Sequence, residues 1–133
     1  MTLLQPPGWP RPKGYAAGVR AEGTLIFVSG QIGWNETGRF AGGNIAAQVR
    51  QALRNVVAVV AEAGGSADNI ARLTWYIVDK AEYLDAQHAI GEAYRDVMGR
   101  HFPAMSVVEV AGLIEDAARV EIEATAVLPK SSR

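Results

Sequence analysis

The sequence of 133 residues contains no cysteine, so a disulfide scaffold, a thiolate zinc site and a cysteine nucleophile are all excluded. An excess of either charge is also lacking: 13 Lys and Arg residues balance 14 Asp and Glu residues, for a formal net charge of −1. A near-neutral chain has no basic field that would gather phosphates, which argues against nucleic acid as a partner. No run of about 18 or more apolar residues is present, so we expect no membrane-spanning segment.

The first 14 residues contain four prolines, which favour extended backbone and remove hydrogen-bond donors. They lack the basic flank and apolar run of a secretory signal, so we expect a cytoplasmic protein. Single domains cluster near roughly 100–150 residues. We therefore predict one domain over residues 1–133, in which residues 1–14 form an extended N-terminal arm.

Apolar residues at helical spacing predict helices over residues 45–63 and about 80–98, with Asn44 and Asp79 as N-caps. β-Branched and alternating stretches predict strands over 15–20, 24–29, 70–78, about 105–110 and about 119–127. We expect the first two strands to form a hairpin, because Glu22-Gly23 suits a tight turn. The order ββαβαββ predicts an α+β sandwich, in which a mixed sheet carries two helices on one face.

The sheet face away from the helices has a mixed character. It is predicted to carry Thr74, Tyr76, Val78 and Glu121. Such a face is too apolar to be fully exposed to water and too polar to form a hydrophobic core within one subunit, which indicates an interface between subunits.

Few residues form a pattern that indicates a catalytic or metal-binding site. The only histidines, His88 and His101, have no carboxylate at ligand spacing, so we expect no metal site, and no nucleotide-binding fingerprint occurs. Glu121 and Glu123 stand on one strand face, roughly 6.6 Å apart. Desolvation would raise the pKa of such a carboxylate and suit it to general acid catalysis, but the spacing alone favours two exposed, solvated carboxylates.

Three ordered segments carry a resemblance to a known family. They are Val28-Ser29-Gly30-Gln31-Ile32, the run from Phe102 to Val110, and Val120-Glu121-Ile122-Glu123-Ala124. Together they resemble the RidA/YjgF (L-PSP-like) family, and Tyr15, Gly18, Gln48 and Asn55 fit the same pattern. The resemblance spans about residues 14 to 128.

The resemblance implies a chorismate-mutase-like α+β fold and a homotrimer, with a central β-barrel and clefts between subunits. It also implies hydrolysis of a reactive imine or enamine to a carbonyl compound and ammonia, without a metal or an organic cofactor. Glu121 matches the glutamate proposed to position or activate water. Tyr15 matches the tyrosine that lines the cleft, and Gly30 matches the glycine whose backbone helps to hold substrate or water. His88 stands near the cleft, where the archetype has an asparagine.

Met105 is the main departure from the family pattern. The archetype has arginine there, which clamps the substrate carboxylate bidentately, and methionine cannot do this. Val107 also occupies a position where a small polar or thiol side chain is frequent. The two residues would make the cleft apolar and adaptable, so we expect a substrate that differs from the archetypal 2-imino acids.

Other residues could compensate for the missing arginine. Trp34 follows the Gly30 motif and could stack on a flat, conjugated substrate such as a 2-aminomuconate, or it could simply anchor a loop. A replacement cation could come from any of four other arginines: Arg20, Arg72, Arg100 and Arg119.

Three hypotheses follow. The first is an imine or enamine deaminase with Glu121 as its catalytic residue. The second is a trimer that binds a small ligand without turnover, which Met105 favours. The third is the ribonuclease activity sometimes attached to the family, against which the charge balance speaks.

Overall fold

A computed structural model describes residues 1–40 and 42–130; Ala41, in the predicted loop, and residues 131–133 of the predicted domain lie outside the described residues. The strands are β1 (Thr2–Leu4), β2 (Gly18–Arg20), β3 (Thr24–Gln31), β4 (Ile70–Ile77), β5 (Ala104–Glu109) and β6 (Val120–Leu128). The helices are α1 (Ile45–Glu62), α2 (Lys80–Asp85) and α3 (Gln87–Met98), and a short 3₁₀ turn, Ala67–Asn69, precedes β4.

The main sheet has four strands in the order β3-β6-β4-β5. Its pairs are antiparallel except for β4 and β5, which run parallel and are joined through α2 and α3. The predicted α+β class and the mixed sheet are therefore confirmed. The helix α1 packs against α3 and against β6 and β3, so the helices cover one face of the sheet as predicted.

The core lies between this helical layer and the sheet. The predicted stripe of α1 is buried at Ile45, Val49, Leu53, Val56 and Val60. The predicted inward positions of β4, Leu73, Trp75 and Ile77, are buried as well. The spacing of apolar residues along α1 and β4 thus identified the inner faces of both elements correctly.

The predicted hairpin between residues 15–20 and 24–29 is wrong. β2 pairs instead with β1 in a separate two-stranded sheet, and β3 pairs with β6. At Gly23, whose φ is 147°, the chain passes directly against the end of β6, because a Cβ there would collide with the backbone of Leu128. β3 therefore runs beside β6, and the N-terminal arm supplies the partner strand for β2.

The second predicted helix is broken in two. Ala86 separates α2 from α3 with φ −103° and ψ 15°, and the side-chain amide of Gln87 donates to the carbonyl of Tyr83 at 3.0 Å. The two predicted N-caps are confirmed. Asn44 Oδ1 accepts from the amide of Ala47 at 2.9 Å, and Asp79 Oδ1 accepts from the amide of Glu82 at 3.1 Å.

Among the residues described, no helix is both long enough and apolar enough to cross a bilayer.

Candidate functional site

The strand register places the predicted site residues on both faces of the sheet. Met105 pairs with Leu73 and Val107 with Trp75, so both side chains lie on the helical face. Glu121 pairs with Tyr76, whose side chain lies on the opposite, open face. Because side chains alternate along a strand, Met105 and Glu121 of one chain lie on different sides of the sheet. They accordingly belong to two separate cavities.

The first cavity, which we call the aromatic cavity, has a volume of about 540 Å³, within the range of small-molecule sites. It lies between the segment 13–15, the helix α3 and the strand β5. Tyr15, Met105 and Val107, three of the predicted substrate-binding residues, contribute to its wall. The remaining lining residues include Lys13, Trp75, Tyr83, Gln87, Ile90, Gly91, Tyr94, Arg95 and Phe102.

A row of aromatic rings supports this cavity. Tyr94 stacks on Phe102 with ring centroids 5.2 Å apart, and on Trp75 at 6.3 Å. The Tyr94 hydroxyl donates to the carbonyl of His101 at 2.6 Å, and burial raises the pKa of Tyr94 above its ordinary value. The wall is therefore largely aromatic and apolar, as is suitable for a ligand with an apolar, conjugated body.

The second cavity, which we call the carboxylate cleft, has a volume of about 280 Å³. It is lined by Gly30, Ile32, Trp34, Ile114, Glu115 and Glu121. It thus contains the predicted catalytic residue Glu121 together with the predicted substrate-binding residues Gly30 and Trp34. Two of its apolar side chains, Trp34 and Ile114, are exposed, Ile114 completely.

Gly30 makes room for the Glu121 carboxylate. The register between β3 and β6 shifts between Val28 and Gln31, which is a bulge in β3. A Cβ at position 30 would collide with Oε2 of Glu121, so the carboxylate lies directly over the glycine. Bulges of this kind often re-aim side chains beside functional sites.

The loops around the carboxylate cleft are held by helix α1. The amide nitrogen of the Asn55 side chain donates to the carbonyls of Trp34 at 2.8 Å and Ile32 at 3.2 Å. Gln48, which is only 2% exposed, donates to the carbonyls of Gly43 and Ala117 and accepts from the amide of Arg119 at 2.7 Å. These two side chains fix the segments on both sides of the cleft.

A third concavity lies on the open face and is lined by Phe27, Arg72, Thr74, Tyr76, Glu123 and Thr125, among others. The hydroxyl of Tyr76 donates to Glu123 at 2.5 Å, and this hydrogen bond raises the pKa of Tyr76. Large apolar side chains on the same face are exposed, above all Phe27 at 74%. An open face of this composition is typical of an interface between subunits.

His88 lies outside all three concavities. It is on the outer side of α3 with its side chain 89% exposed, and its Nε2 lies 2.8 Å from Glu92. The expectation that no carboxylate stands at ligand spacing from His88 is therefore wrong, because Glu92 follows it by one helical turn.

Of the arginines proposed as replacements, Arg119 is already held by Glu82 through contacts of 2.9 and 3.0 Å, a pairing that raises the pKa of Arg119. Arg72 lies on the open face, and Arg20 and Arg100 line none of the three concavities.

The sequence analysis missed several cavity residues. Arg95 and Lys13 bring positive charge to the aromatic cavity, and Glu115 brings a second carboxylate to the carboxylate cleft. Arg95 follows Gly91 by one helical turn on the face with Gln87, but the same spacing is found on any solvated helix face. Lys13 and Glu115 are in irregular segments, where no periodicity points to a site.

Within residues 1–40 and 42–130, no three His, Asp or Glu side chains come together as a group that could hold a metal ion.

The chain is similar to a group of known proteins over nearly its whole length. The profile of the family described as endoribonuclease L-PSP matches residues 10–128. The 2-iminobutanoate/2-iminopropanoate deaminase of Escherichia coli strain K12 is 39% identical over 105 residues, which cover 79% of this chain and 80% of that protein.

Solved structures show the same similarity. A conserved Rid-family protein of unknown function from Yersinia pestis, YyfB, superposes with a TM-score of 0.81 at 27% identity, covering 96% of this chain and 98% of that one. The Escherichia coli protein TdcF with bound serine superposes with a TM-score of 0.68 at 34% identity, covering 96% and 99% of the two chains.

Proposed function

We propose that this chain, which belongs to the endoribonuclease L-PSP family that includes the Rid and YjgF proteins, hydrolyses a reactive imine or enamine to a carbonyl compound and ammonia. The similar deaminase of Escherichia coli supports the reaction class. Met105, in place of the arginine that binds the substrate carboxylate in the archetype, supports a substrate other than 2-iminobutanoate or 2-iminopropanoate.

One observation carries the proposal: the Glu121 carboxylate lies over Gly30 in a concave, partly apolar cleft. Because position 30 has no side chain, the carboxylate lies against the β3 backbone, and both line the same cleft. A water molecule or a substrate atom can therefore approach both the carboxylate and the main chain of the bulge. Positioned carboxylates of this kind act as general acids and bases.

The proposed reaction adds water and expels ammonia. The substrate reacts as the protonated imine, which an enamine gives directly when it takes a proton on carbon. Glu121 accepts a proton from water as the water oxygen attacks the carbon of the C=NH2⁺ group, which gives a neutral tetrahedral amino alcohol. Glu121 then returns this proton to the nitrogen, and ammonia leaves as the C=O bond forms and the hydroxyl proton passes to Glu121. Transfer of that proton to the released ammonia restores the carboxylate, so the sum is protonated imine plus water giving carbonyl compound plus ammonium.

The two cavities suit a site that is shared between copies of the chain. The aromatic cavity is broad enough for a substrate, whereas the carboxylate cleft is small and bounded by the exposed side chains of Trp34 and Ile114. We place the carboxylate cleft of one copy over the aromatic cavity of the next in a homotrimer. The exposed apolar side chains of the open face, Leu25, Phe27 and Val108, then pack inside the assembly.

Met105 also favours a second candidate function. An apolar cavity without the arginine could hold a small ligand that is never turned over. Under this alternative the same trimer binds ligands with Glu121 idle, and replacing Glu121 would leave binding unchanged.

The test is ammonia release from freshly generated 2-imino acids, conjugated enamines and neutral enamines. Glu121→Gln is compared with Glu115→Gln, a second carboxylate of the same cleft, and with Glu123→Gln, its neighbour on the same strand face. The proposal expects wild type to release ammonia from at least one conjugated substrate and Glu121→Gln to lose this activity while keeping its oligomeric state.

Two outcomes would contradict the proposal. If Glu121→Gln keeps the wild-type rate, this carboxylate is not the acid or base. If no substrate is turned over although ligands bind, the binding function replaces the deaminase. An RNA cleavage assay on the same variants tests for the endoribonuclease activity from which the family takes its name.

A further inference from the structure

The charges around the aromatic cavity are all of one sign. Two cationic side chains, Arg95 and Lys13, line the cavity, and no Asp or Glu is among its lining residues. The other walls are formed mainly by aromatic and aliphatic side chains. A cavity with apolar, largely aromatic walls and cations is complementary to an anion with an apolar, conjugated body.

Arg95 is arranged so that its guanidinium is available to a ligand. A Cβ on Gly91, one helical turn earlier, would lie 3.3 Å from Nη1 of Arg95 and 3.8 Å from Nη2. The guanidinium therefore lies along α3 over the glycine, on the face that also presents Gln87 to the cavity. The missing side chain at position 91 provides the space.

The neighbouring carboxylates are engaged elsewhere. Asp96 pairs with Arg50 at 2.9 Å, and Glu92 lies 2.8 Å from His88. In the described part of the chain, no carboxylate forms a salt bridge with Arg95. Its fork of N–H groups is free to bind a carboxylate bidentately.

We infer that Arg95, assisted by Lys13, binds the carboxylate of a planar, conjugated substrate in the aromatic cavity, in place of the arginine that Met105 replaces. The term substrate rests on the proposed function, whereas the anion site itself does not. Turnover and binding are therefore measured separately.

The experiment uses trans-cinnamate and its neutral methyl ester as probes, with affinities measured by titration calorimetry. Wild type is compared with Arg95→Met, with Arg95→Lys, and with Arg54→Met, an exposed arginine on α1 that lines none of the cavities. Because a charge-assisted contact is lost, Arg95→Met should raise the Kd for cinnamate about tenfold and leave the Kd for the ester unchanged. Arg95→Lys should recover part of the affinity, and Arg54→Met should behave as wild type.

Two results would overturn the inference. One is equal cinnamate affinity in wild type and Arg95→Met. The other is a wild type that does not bind cinnamate at millimolar concentration or does not prefer it to the ester. Ammonia assays separate this inference from the proposed function. Arg95-dependent binding without turnover of any substrate removes the deaminase and leaves the anion site, whereas turnover together with a cinnamate affinity that Arg95→Met does not change removes the anion site and leaves the deaminase.

Discussion

The carboxylate of Glu121 fills the volume that a Cβ at position 30 would take, across the bulge in β3. The two residues are therefore one unit of the site: the glycine makes the carboxylate position possible, and the carboxylate excludes any side chain at the glycine. If Glu121 is catalytic, its position in the site therefore requires glycine at position 30.

A Gly30→Ala variant should lose activity with little loss of stability. The added methyl group would collide with Oε2 of Glu121 and displace a flexible side chain rather than the backbone. We expect ammonia release to fall at least about tenfold, as when a general acid or base is misplaced. Gly18→Ala is the matched control, because its Cβ would meet Leu4 at an ordinary 3.5 Å. Equal activity of wild type and Gly30→Ala would show that the carboxylate position is unimportant.

A Met105→Arg variant should shift specificity toward small 2-imino acids. The new guanidinium would enter the aromatic cavity and could bind the carboxylate next to the imine carbon. We expect kcat/KM for 2-iminopropanoate to rise about tenfold or more, since one charge-assisted hydrogen bond contributes about 1.5–3 kcal/mol. Met105→Gln has a similar length without the charge and should show no gain. A variant as slow as wild type would indicate that position 105 does not select the substrate.

A Gln48→Leu variant should destabilise the protein and loosen the carboxylate cleft. The buried amide satisfies the carbonyls of Gly43 and Ala117 and the amide of Arg119, and leucine would satisfy none of them. Leaving these groups without partners should lower the free energy of unfolding by about 3 kcal/mol. Urea denaturation measures the change. Gln51→Leu, which removes a hydrogen bond to Asn55, should lower the free energy of unfolding much less. Similar losses in both variants would argue against a special role of the buried Gln48 amide.

Tyr94 should make the protein sensitive to alkali. Burial raises its pKa in the folded state above the ordinary value of 10.0. The unfolded chain then releases this proton first, so the contribution of Tyr94 to stability is complete below pH 10 and is lost as the pH rises above it. The free energy of unfolding should fall by up to about 1.4 kcal/mol per pH unit from this group.

Urea denaturation of wild type and Tyr94→Phe between pH 8 and pH 11 measures this contribution. The difference between the two proteins should shrink steadily above pH 10, because phenylalanine does not titrate. A difference that stays constant with pH would mean that the Tyr94 pKa is not raised in the folded protein.

The helices and the inner face of the sheet were predictable because burial imposes a period on the sequence. Val49, Leu53 and Val56 on α1, and Leu73 and Trp75 on β4, are buried where that period places them. The partner of β2 was not predictable, because three residues carry too little pattern to choose between β1 and β3. The break between α2 and α3 at Ala86 was not predictable either, because alanine fits a continuous helix equally well.

The candidate site was predictable in part. Family motifs pointed to Tyr15, Gly30, Met105 and Glu121, and the structure places each of them in one of the two cavities. The division of these residues between opposite sheet faces requires the strand register, which no local pattern contains. Arg95 was missed because a single exposed arginine on a helix is ordinarily solvated.

A mixed-trimer assay tests the central claim, that Glu121 of one copy acts on a substrate held in the aromatic cavity of another. Glu121→Gln lacks the carboxylate, and Met105→Trp fills the cavity; each is purified, shown to be folded, and assayed alone for ammonia release. The two are then unfolded and refolded together at equal amounts. The account predicts that two inactive variants regain about a quarter of the wild-type rate, since mixed trimers each rebuild one intact site in three. A mixture that stays as inactive as its parents, although mixed trimers form, would contradict a shared site.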